Sequence, residues 1–480
     1  MLEPEPDQSQ VLEVVAGLRT EQSAWTALQP RERGAFVAHY IEWLTANRRR
    51  FEDALIAETG KSASDAAMEI PMAAQVAAYY ATHAERFLAC EQRSSPNWLL
   101  ANKRATMQYR PRGVVGVISP WNYPIANCLT DAIPALLAGC AVLVKPSERA
   151  PSTVDTVLDG WNQVGAPKVL ARLHGGRAIA EAVVDHVDFV QFTGSSATGR
   201  AVAARAAQRL TPVSLELGGK DPMLVLIGAD IRRAARGAVW GSMFNAGQTC
   251  VSVERVYVVE EVYEQFVAEV LHEVSRLKVG VGAGFDVGAL VDSGQLEIVD
   301  RHVRDAVTNG ATVHTGGKLV GDGLLYPPTV LTNVTSSMLC MSEETFGPLL
   351  PIVAVADDAE AIALANASPY GLSATVWSGD SATAQRVAAQ LDVGTVNIND
   401  VIVNIMEMSV PHGGWKDSGI GARMGGADGI RKYCRTAVVV EHTRGLRSEP
   451  NWYSAPPLQQ RLVAKLLLRN ARGQLRKVGR

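Results

Sequence analysis

The sequence predicts an α/β protein with two lobes and a small additional β element. Apolar runs of strand length alternate with helix-length segments across residues 113–217, and the alternation resumes after Gly218-Gly219. The chain has 480 residues, of which 47% are hydrophobic and 20% charged. It is therefore long enough to bury the cores of two or three lobes.

Residues 8–90 read as helices that precede the first lobe. Their apolar spacing includes one amphipathic stripe, formed by Phe36, His39, Tyr40, Trp43 and Leu44. Residues 96–112 are extended and alternating, which predicts a strand that leaves the body of the domain.

The first lobe is predicted to contain a parallel sheet with helices on both faces. Its strands are 114–118, 140–145, 189–193 and 213–217. Its helices are 125–137, 152–164 and 200–208.

The second lobe repeats the alternation. Its predicted strands are 255–259, 312–315, 351–355, 373–377 and 395–398. Its predicted helices are 261–276, 294–308, 357–366 and 381–391. A Gly-rich loop opens at Pro411, and a last short strand is predicted at 438–441.

Composition excludes several classes of function. A net charge of −3 gives no electrostatic basis for binding nucleic acid. The cysteines are scattered without a CxxC pair, and no HExxH motif occurs, so no metal site is expected. The acidic N-terminus lacks the apolar core of a signal peptide, and no apolar run approaches the roughly 20 residues of a membrane span. A cytoplasmic location is therefore expected.

The most informative stretch is FNAGQTC at 244–250, which follows an apolar, helix-compatible segment. A thiol at such a junction is well placed to face a cleft, and a thiolate is a strong nucleophile toward a carbonyl carbon. Cys250 alone could equally be a small buried apolar residue. Its interpretation depends on its companions in the chain.

Three further stretches offer such companions. The segment 194–199 carries two glycines between a strand and a helix, which suits either a phosphate or a plain tight turn. Glu148 follows the strand that ends at Lys145, where it could accept hydrogen bonds from ribose hydroxyls or lie in an exposed loop. Asn122, between two prolines, could stabilise an oxyanion or serve as a turn residue.

Glu216 is a carboxylate inside an apolar strand at the boundary between the lobes. Burial is expected to raise its pKa, which suits a general base that works near neutral pH. A functional role is favoured over a structural one, because an unpaired buried carboxylate is costly.

Taken together, these stretches resemble the NAD(P)-dependent aldehyde dehydrogenase superfamily. Seven motifs occur in the family's order and spacing over roughly residues 10–445: PWNYP (120–124), KPSE (145–148), FTGSSATG (192–199), LELGGK (215–220), FNAGQTC (244–250), EETFGP (343–348) and PHGGWKDSG (411–419).

The resemblance implies the domain organisation. A Rossmann-like NAD-binding lobe would comprise 1–95 and 113–217, and an α/β catalytic lobe 218–410. Segments 96–112 and 411–446 would form a β oligomerisation element of a homodimer or homotetramer. Residues 447–480 would remain as a basic tail.

The resemblance also implies residue roles. Cys250 would be the nucleophile, Glu216 the base that activates the deacylating water, and Asn122 an oxyanion donor together with the Cys250 backbone N–H. The implied cofactor residues are Ile118, Trp121, Lys145, Ser147, Glu148, Gly194, Ser195, Gly199, Leu217, Glu344 and Phe346. The implied substrate tunnel consists of Tyr123, Asn127, Thr130, Thr249, Val251 and His412. NAD is expected from Glu148, and NADP stays possible.

The expected reaction is oxidation of a small-molecule aldehyde to a carboxylate. Relatives that transfer the acyl group to coenzyme A lack the glutamate found at Glu216, so hydrolysis is favoured. The alternatives are acyl-CoA formation or ester cleavage on the same thiol, and a non-catalytic relative. His412 departs from the phenylalanine common in the family. Residues 397–402 resemble a bacterial subgroup that acts on apocarotenoid, long-chain or aromatic aldehydes, or is named for succinate semialdehyde.

The tail has its own pattern. Five basic residues share one predicted helical stripe: Arg461, Lys465, Arg469, Arg472 and Arg476. An apolar stripe begins beside them at Leu458. Such a helix would either lie peripherally on an anionic membrane or pack on the body or a partner subunit.

Overall fold

A computed structural model describes residues 8–95, 97, 100–321, 323–443, 449 and 452–478. Within these residues the chain forms two compact units. The first comprises residues up to 85 and 111–433, and the second comprises 86–110 and residues from 434 onward. Parts of the predicted strand at 96–112 and of the predicted tail lie outside the described residues.

The N-terminal region is helical, as predicted. Its helices are α1 (Gln8–Ala27), α2 (Pro30–Ala46), α3 (Arg48–Thr59), α4 (Ala63–Ala66) and α5 (Glu69–Leu88). The predicted amphipathic stripe falls on α2, where Tyr40 and Leu44 are buried while His39 is exposed.

The first sheet of the larger unit has six strands in the described chain. They are β3 (Val114–Ile118), β4 (Ala141–Lys145), β5 (Leu170–Arg172), β6 (Phe189–Thr193), β7 (Val213–Glu216) and β17 (Gly419–Ile420). Their order is β17-β7-β6-β3-β4-β5, parallel except for β17. The accompanying helices are α6 (Pro124–Leu137), α7 (Pro151–Gln163), α8 (Arg177–His186) and α9 (Ser196–Ala207). Every residue of α6 is buried, so this helix forms the centre of the lobe.

The second sheet has seven described strands. They are β8 (Asp221–Val225), β9 (Val253–Val259), β10 (Thr312–Thr315), β11 (Thr329–Thr332), β12 (Leu349–Val355), β14 (Ser373–Trp377) and β15 (Thr395–Ile398). Their order is β10-β11-β12-β9-β8-β14-β15, and only the β10–β11 pair is antiparallel. The helices are α10 (Ile231–Met243), α11 (Glu260–Val274), α12 (Ser293–Thr308), α13 (Leu339–Ser342), α14 (Asp358–Asn366) and α15 (Ser381–Ala388).

Short elements complete the larger unit. They are the 3₁₀ turns Phe244–Gly247 and Val403–Ile405, the strand pair β13 (Tyr370–Gly371) and β16 (Trp415–Lys416), and helix α16 (Asp428–Arg431). Because β17 pairs with β7, residues 411–433 belong to this unit and not to the small β element.

The second unit contains a three-stranded sheet and one long helix. The strands are β1 (Glu91–Arg93), β2 (Lys103–Pro111) and β18 (Cys434–His442), in that order. The helix is α17 (Pro457–Leu475), and none of its residues is buried. No described helix has the length and apolar character needed to cross a bilayer. The predicted α/β class with parallel sheets is thus confirmed.

Candidate active site

Cys250 follows an unusual turn that brings its thiol to a cleft. Helix α10 ends before the 3₁₀ turn Phe244–Gly247, in which Asn245 adopts a φ of +54°. Gly247 is left-handed as well, with a φ of +72°, and a Cβ atom there would lie 2.1 Å from the carbonyl oxygen of Gly347. The turn therefore requires glycine, and it directs Cys250 into the cleft instead of extending the helix.

Glu216 ends β7 and lines the same cleft as Cys250. It is 1% exposed, and neither carboxylate oxygen accepts a hydrogen bond from any described residue. His412 Nε2 lies 3.9 Å from Oε1, and Arg423 Nη1 lies 3.6 Å from Oε2. A buried carboxylate with open acceptor positions can take a proton from a thiol or from water.

The pKa values of the thiol and the carboxylate move apart. Burial and the charge of Glu216 raise the pKa of the Cys250 thiol well above its ordinary value. Burial would raise the pKa of Glu216 too, but His412 and Arg423 outweigh it and hold that pKa below its ordinary value. The expectation that burial would raise the pKa of Glu216 was wrong, because the sequence did not place His412 and Arg423 beside it. At neutral pH the thiol is protonated and the carboxylate ionised.

Asn122 lies in the turn before α6, and buried contacts fix both its backbone and its side chain. Its Nδ2 donates to the carbonyl oxygen of Gln248 at 3.0 Å, two residues before Cys250. Its own carbonyl oxygen accepts from Lys61 Nζ at 2.6 Å and from Asn245 Nδ2 at 3.0 Å. These contacts hold the side-chain amide of Asn122 beside the turn that leads to Cys250, and both residues line the same cleft.

The cleft has a volume of about 280 Å³ and gathers most of the predicted site. Its lining includes Trp121, Asn122, Tyr123, Asn127, Gly194, Ser195, Glu216, Leu217, Cys250, Glu344 and Phe346. Glu216 ends a strand of the first sheet, whereas Cys250 and the segment 344–346 precede strands β9 and β12 of the second, so the cleft is the place where the lobes meet within the larger unit.

One wall of the cleft suits a phosphate group. Gly194 and Ser195 connect β6 to α9, and the Ser195 hydroxyl accepts from Thr198 N at 3.4 Å as a helix N-cap. A Cβ atom on Gly199 would lie 2.4 Å from Leu217 Cδ2, so glycine lets α9 approach the sheet closely. The helix N-terminus and its exposed backbone N–H groups therefore fit the pyrophosphate of a dinucleotide.

Another wall of the cleft is a loop that carries Glu344 and Phe346 and is held by hydrogen bonds. Glu344 Oε1 accepts from Gly219 N at 3.0 Å, and burial together with the charge of Glu254 raises the pKa of Glu344 to about 8. Phe346 has a φ of +53° and meets Trp121 edge-on at 5.6 Å between ring centroids. This loop is suited to hold a nicotinamide ribose and ring.

Glu254 is the residue that holds this loop. Its carboxylate accepts from Thr345 N at 2.8 Å and Phe346 N at 2.9 Å, and it pairs with Lys220 Nζ at 2.6 Å. Lys220 and Glu254 are 1% and 3% exposed. The pair was not predicted as part of the site, although Lys220 closes the LELGGK motif.

The predicted ribose-binding residues lie at the carboxyl end of β4. Lys145 forms an ion pair with Glu148, whose side chain is 54% exposed. Ile118 stands opposite Lys145 in the β3–β4 register. Ser147 Oγ accepts from Arg149 N at 3.3 Å, which shapes the turn. An exposed carboxylate at this edge fits a ribose with two free hydroxyls.

The residues predicted for the substrate tunnel do not all line the cleft. Tyr123 and Asn127 line the cleft, and the Tyr123 hydroxyl is 2.6 Å from the hydroxyl of Thr249. Thr130 lines a separate cavity. Val251 packs into the apolar core of the second lobe. The structure places His412 against Glu216.

Sequence reasoning missed the charged residues that support the site. Arg423, Asp131 and Lys61 are all less than a tenth exposed and contact the predicted catalytic residues or their neighbours. One signal was available, because Asp131 is the only acidic residue in the apolar helix α6. A carboxylate in such a helix predicts a buried partner.

This arrangement is suited to an enzyme that forms a covalent bond between a cysteine and a carbonyl carbon. A thiol, a buried base and an amide donor lie in one cleft, and the walls of that cleft fit a nicotinamide dinucleotide.

The comparisons with known proteins agree. The model of the aldehyde dehydrogenase family matches residues 3–439. A 4,4'-diapolycopene aldehyde oxidase from Methylomonas sp is 41% identical over 432 residues, which cover 89% of this chain and 81% of that protein. A putative succinate-semialdehyde dehydrogenase [NADP(+)] from Mycolicibacterium smegmatis is 39% identical over 459 residues, or 94% of this chain and 88% of that protein.

A solved structure of putative aldehyde dehydrogenase PutA from Anabaena variabilis superposes with a TM-score of 0.89 at 36% identity, covering 94% of this chain and 96% of that one. The chain belongs to the aldehyde dehydrogenase family, and the predicted resemblance is confirmed. It is an oxidoreductase that oxidises an aldehyde to the acid by the cysteine chemistry general to that family.

Proposed function

We propose that this enzyme oxidises apolar aldehydes to carboxylates with NAD, and that Cys250, Glu216 and Asn122 carry out the chemistry. The observation that supports these roles is the convergence of the three side chains at one cleft. The raised pKa of the thiol and the ionised state of the carboxylate provide the donor and the acceptor for the first proton transfer.

The steps follow from these positions. The sulfur of Cys250 bonds to the aldehyde carbon while its proton passes to Glu216, and Asn122 Nδ2 with the Cys250 backbone N–H stabilises the oxyanion. A nicotinamide cofactor held by these walls would supply the hydride acceptor that conversion of this thiohemiacetal to a thioester requires. After Glu216 has lost its proton to solvent, it accepts one from a water molecule that attacks the thioester carbon. The carbon–sulfur bond then breaks and frees the acid.

NAD is proposed over NADP because of Glu148. The residues proposed to hold the cofactor are Lys145, Glu148, Gly194, Ser195, Glu344 and Phe346, with Ile118, Ser147, Gly199, Trp121 and Leu217 shaping the walls. A carboxylate accepts hydrogen bonds from two ribose hydroxyls but repels a 2′-phosphate. The nearby cation Arg149 is paired with Asp292 at 2.7 Å and lies over the Trp121 ring.

An apolar substrate is supported by the surfaces that adjoin the cleft. Tyr123 stacks on Phe244 at 5.9 Å, and Phe244 stacks on Trp240 at 5.1 Å between centroids. Phe244 and Trp240 line a cavity of about 350 Å³ that also includes Met68. Met68 in turn borders a second cavity, of about 90 Å³. This aromatic and methionine surface suits an extended hydrocarbon chain.

The second cavity is rich in methionine. Five of the chain's 11 methionines line it: Met68, Met72, Met406, Met408 and Met424. The thioether side chains adapt to irregular apolar ligands.

The charges that line the larger cavity disfavour a substrate with a second carboxylate. Three carboxylates line the larger cavity, those of Asp65, Glu273 and Asp286. The cation that lines it, Arg236, is already paired with Glu273 at 3.0 Å. An anionic chain such as that of succinate semialdehyde would meet net negative charge and lose hydration there.

A panel of aldehydes tests the proposal by NADH formation without coenzyme A. We expect kcat/KM to rise with chain length among linear apolar aldehydes and to be lowest for succinate semialdehyde. Met68→Ala should reduce the preference for long over short chains up to about tenfold, because Met68 is half-buried and a hydrocarbon that covers the rest of it gains only part of the roughly 1.5–3 kcal/mol of a fully buried methionine. Met338→Ala, in the core of the second lobe, is the control that changes stability without changing this preference.

Two outcomes of the panel count against the proposal. A requirement for coenzyme A would indicate acyl transfer in place of hydrolysis. The highest kcat/KM for succinate semialdehyde would overturn the substrate class and leave the family chemistry in place.

Self-association is proposed through β18. Val438, Val439 and Val440 on this strand are 59%, 44% and 62% exposed in the single chain. Apolar exposure on an outer strand suits pairing with a second copy, in a homodimer or homotetramer. Light scattering should give a multiple of the chain mass for the wild type and a smaller mass for Val439→Asp, and a wild-type monomer would contradict the proposal.

Peripheral membrane contact is proposed for α17. Trp452 and Tyr453 precede this helix and are 54% and 104% exposed, and Leu458 and Leu462 are 81% and 54% exposed. Aromatic residues beside a basic amphipathic helix favour the surface of an anionic bilayer. Full-length protein should sediment with anionic but not with neutral vesicles, and a chain ending at residue 449 should not. Equal sedimentation of the two proteins would contradict the proposal.

A further inference from the structure

We propose that Arg423 is a positioning residue that fixes both the oxyanion donor Asn122, through Asn127, and the base Glu216, by direct pairing. The proposal rests on the functional roles given to Asn122 and Glu216 above. It adds a residue that touches neither substrate nor cofactor and yet controls two successive steps.

Arg423 is held in a buried ion pair. It is 6% exposed, and its Nη2 and Nε donate to Oδ2 of Asp131 at 3.0 and 3.2 Å. Asp131 is 1% exposed and belongs to α6, the buried central helix of the first lobe. The backbone of Arg423 is fixed as well, because its N–H donates to the carbonyl of His412 at 2.7 Å. The guanidinium therefore has one defined position.

From this position Arg423 determines the orientation of two amides. Its Nη2 donates to Oδ1 of Asn127 at 2.8 Å, and Nδ2 of Asn127 donates to Oδ1 of Asn122 at 3.0 Å. A guanidinium has only donors, so the oxygen of Asn127 must face it and the nitrogen must face Asn122. The nitrogen of Asn122 is then left to point toward the carbonyl of Gln248, at 3.0 Å. Without the cation, both amides could turn over and present an oxygen where the oxyanion forms.

The second branch runs directly to the base. Nη1 of Arg423 lies 3.6 Å from Oε2 of Glu216, where a positive charge favours the ionised carboxylate. The other titratable groups that act on this pair are His412, Cys250, Cys128, Glu344, Asp131, Lys432 and Tyr433. Of these, His412 also favours the ionised carboxylate. Removal of Arg423 should therefore raise the pKa of Glu216, so that the carboxylate acts as a base only at a higher pH. The activity that depends on Glu216 should be shifted in pH and not abolished.

The test removes Asp131 together with Arg423, so that Asp131 is not left as an unpaired buried charge. The double variant Asp131→Asn/Arg423→Gln is compared with Asn127→Leu, which cuts only the branch to Asn122. Stopped-flow mixing with NAD and an aldehyde gives the rate of the NADH burst, the pH dependence of steady turnover reports Glu216, and fluorescence titration gives the Kd for NAD. The control is Arg33→Gln, a buried arginine that is 4% exposed and donates to backbone carbonyls away from the cleft.

We expect the double variant to slow the burst about tenfold or more, a fraction of the loss seen when an oxyanion donor is deleted. In the pH profile of steady turnover, the fall in rate on the acid side (the acid limb) should move to a pH about one unit higher. The Kd for NAD should stay within about twofold of the wild-type value. Asn127→Leu should slow the burst and leave the acid limb unmoved. Arg33→Gln should lower Tm without either effect.

A wild-type burst rate and an unmoved acid limb in the folded double variant would overturn the proposal. A normal burst in Asn127→Leu would overturn the branch to Asn122. A failure of the underlying function would look different, because wild-type enzyme would then give no NADH burst with any aldehyde.

Discussion

The two ends of the cleft are built in different ways. At the thiol end Glu216 and Asn122 are 1% and 6% exposed, and their contacts come from residues far away in the chain, Arg423 and Lys61. At the ribose end Glu148 is half exposed, and its partner Lys145 is only three residues away.

The difference teaches that chemistry and cofactor selection depend on separable sets of contacts. Buried charges interact strongly and tolerate little change, whereas exposed pairs are screened by water and contribute little. Substitutions at the thiol end should therefore produce large losses of rate, and substitutions at the ribose end should produce modest shifts in selectivity.

Cys250→Ala should give the largest effect, because it removes the nucleophile at the thiol end. Loss of a nucleophile that acts together with its base reduces kcat by roughly 10³-fold or more. The Kd for NAD should be unchanged, because the variant leaves the cofactor walls intact. NADH formation and fluorescence titration measure the two, with Cys90→Ala, an exposed thiol, as the control. Near wild-type turnover in Cys250→Ala would remove the cysteine from the mechanism.

Glu216→Gln sharpens the comparison within the thiol end. Burial and the charge of Glu216 both raise the pKa of Cys250, so a neutral glutamine lowers that pKa, makes the thiolate more available and offsets the lost base during acylation. Deacylation has no such compensation and should slow by about 10²- to 10⁴-fold. Stopped-flow mixing should show a retained NADH burst followed by slow turnover. Disappearance of the burst would assign Glu216 an earlier role.

Glu254→Gln tests the buried pair of Glu254 with Lys220, which holds the cofactor-side loop of Glu344 and joins residues distant in the chain. The variant should leave Lys220 uncompensated and cost about 3–5 kcal/mol of unfolding free energy. Cofactor binding should weaken about tenfold, because two backbone donors of the Glu344 loop lose part of their acceptor.

The matched variant is Lys220→Met/Glu254→Leu, which removes both charges. It should recover stability in denaturant titrations while cofactor binding stays weak. Wild-type affinity for NAD in both variants would show that the loop does not depend on this pair.

Glu148→Gln should give the smallest effect. Removing an exposed negative charge should lower the ratio of kcat/KM for NAD over NADP about tenfold, mainly through better use of NADP. Turnover at saturating NAD should be unchanged. Wild-type specificity constants that favour NADP would contradict the proposed preference before any variant is made.

The alternation of apolar segments predicted the class of fold, and the resemblance to the family implied most residues of the cleft. The alternation of strands and helices was correct in outline, but strands β8 and β11 of the second sheet and helix α8 of the first lobe were not predicted. The motif residues Cys250, Glu216 and Asn122 line one cleft. Two short strands of the first sheet, Leu170–Arg172 and Gly419–Ile420, were missed because two or three residues carry no periodic signal.

The long-range contacts could not be predicted in the same way. Arg423 lies 207 positions after Glu216 in the chain, and only the folded lobe brings the two within 3.6 Å. The pKa of Glu216 was mispredicted for the same reason, since the sequence showed its burial but not its neighbours Arg423 and His412. The site's chemistry was therefore predictable by type, and its electrostatics were not.

The central claim is that Cys250 carries the acyl group and that Glu216 releases it. Mass spectrometry of Glu216→Gln, quenched in acid during turnover with NAD and a linear aldehyde, tests both parts at once. The account predicts an added acyl mass on the peptide that contains Cys250, dependent on NAD and weaker in the wild type. Continued turnover with an unmodified Cys250 peptide, or with the acyl mass on another residue, would contradict it.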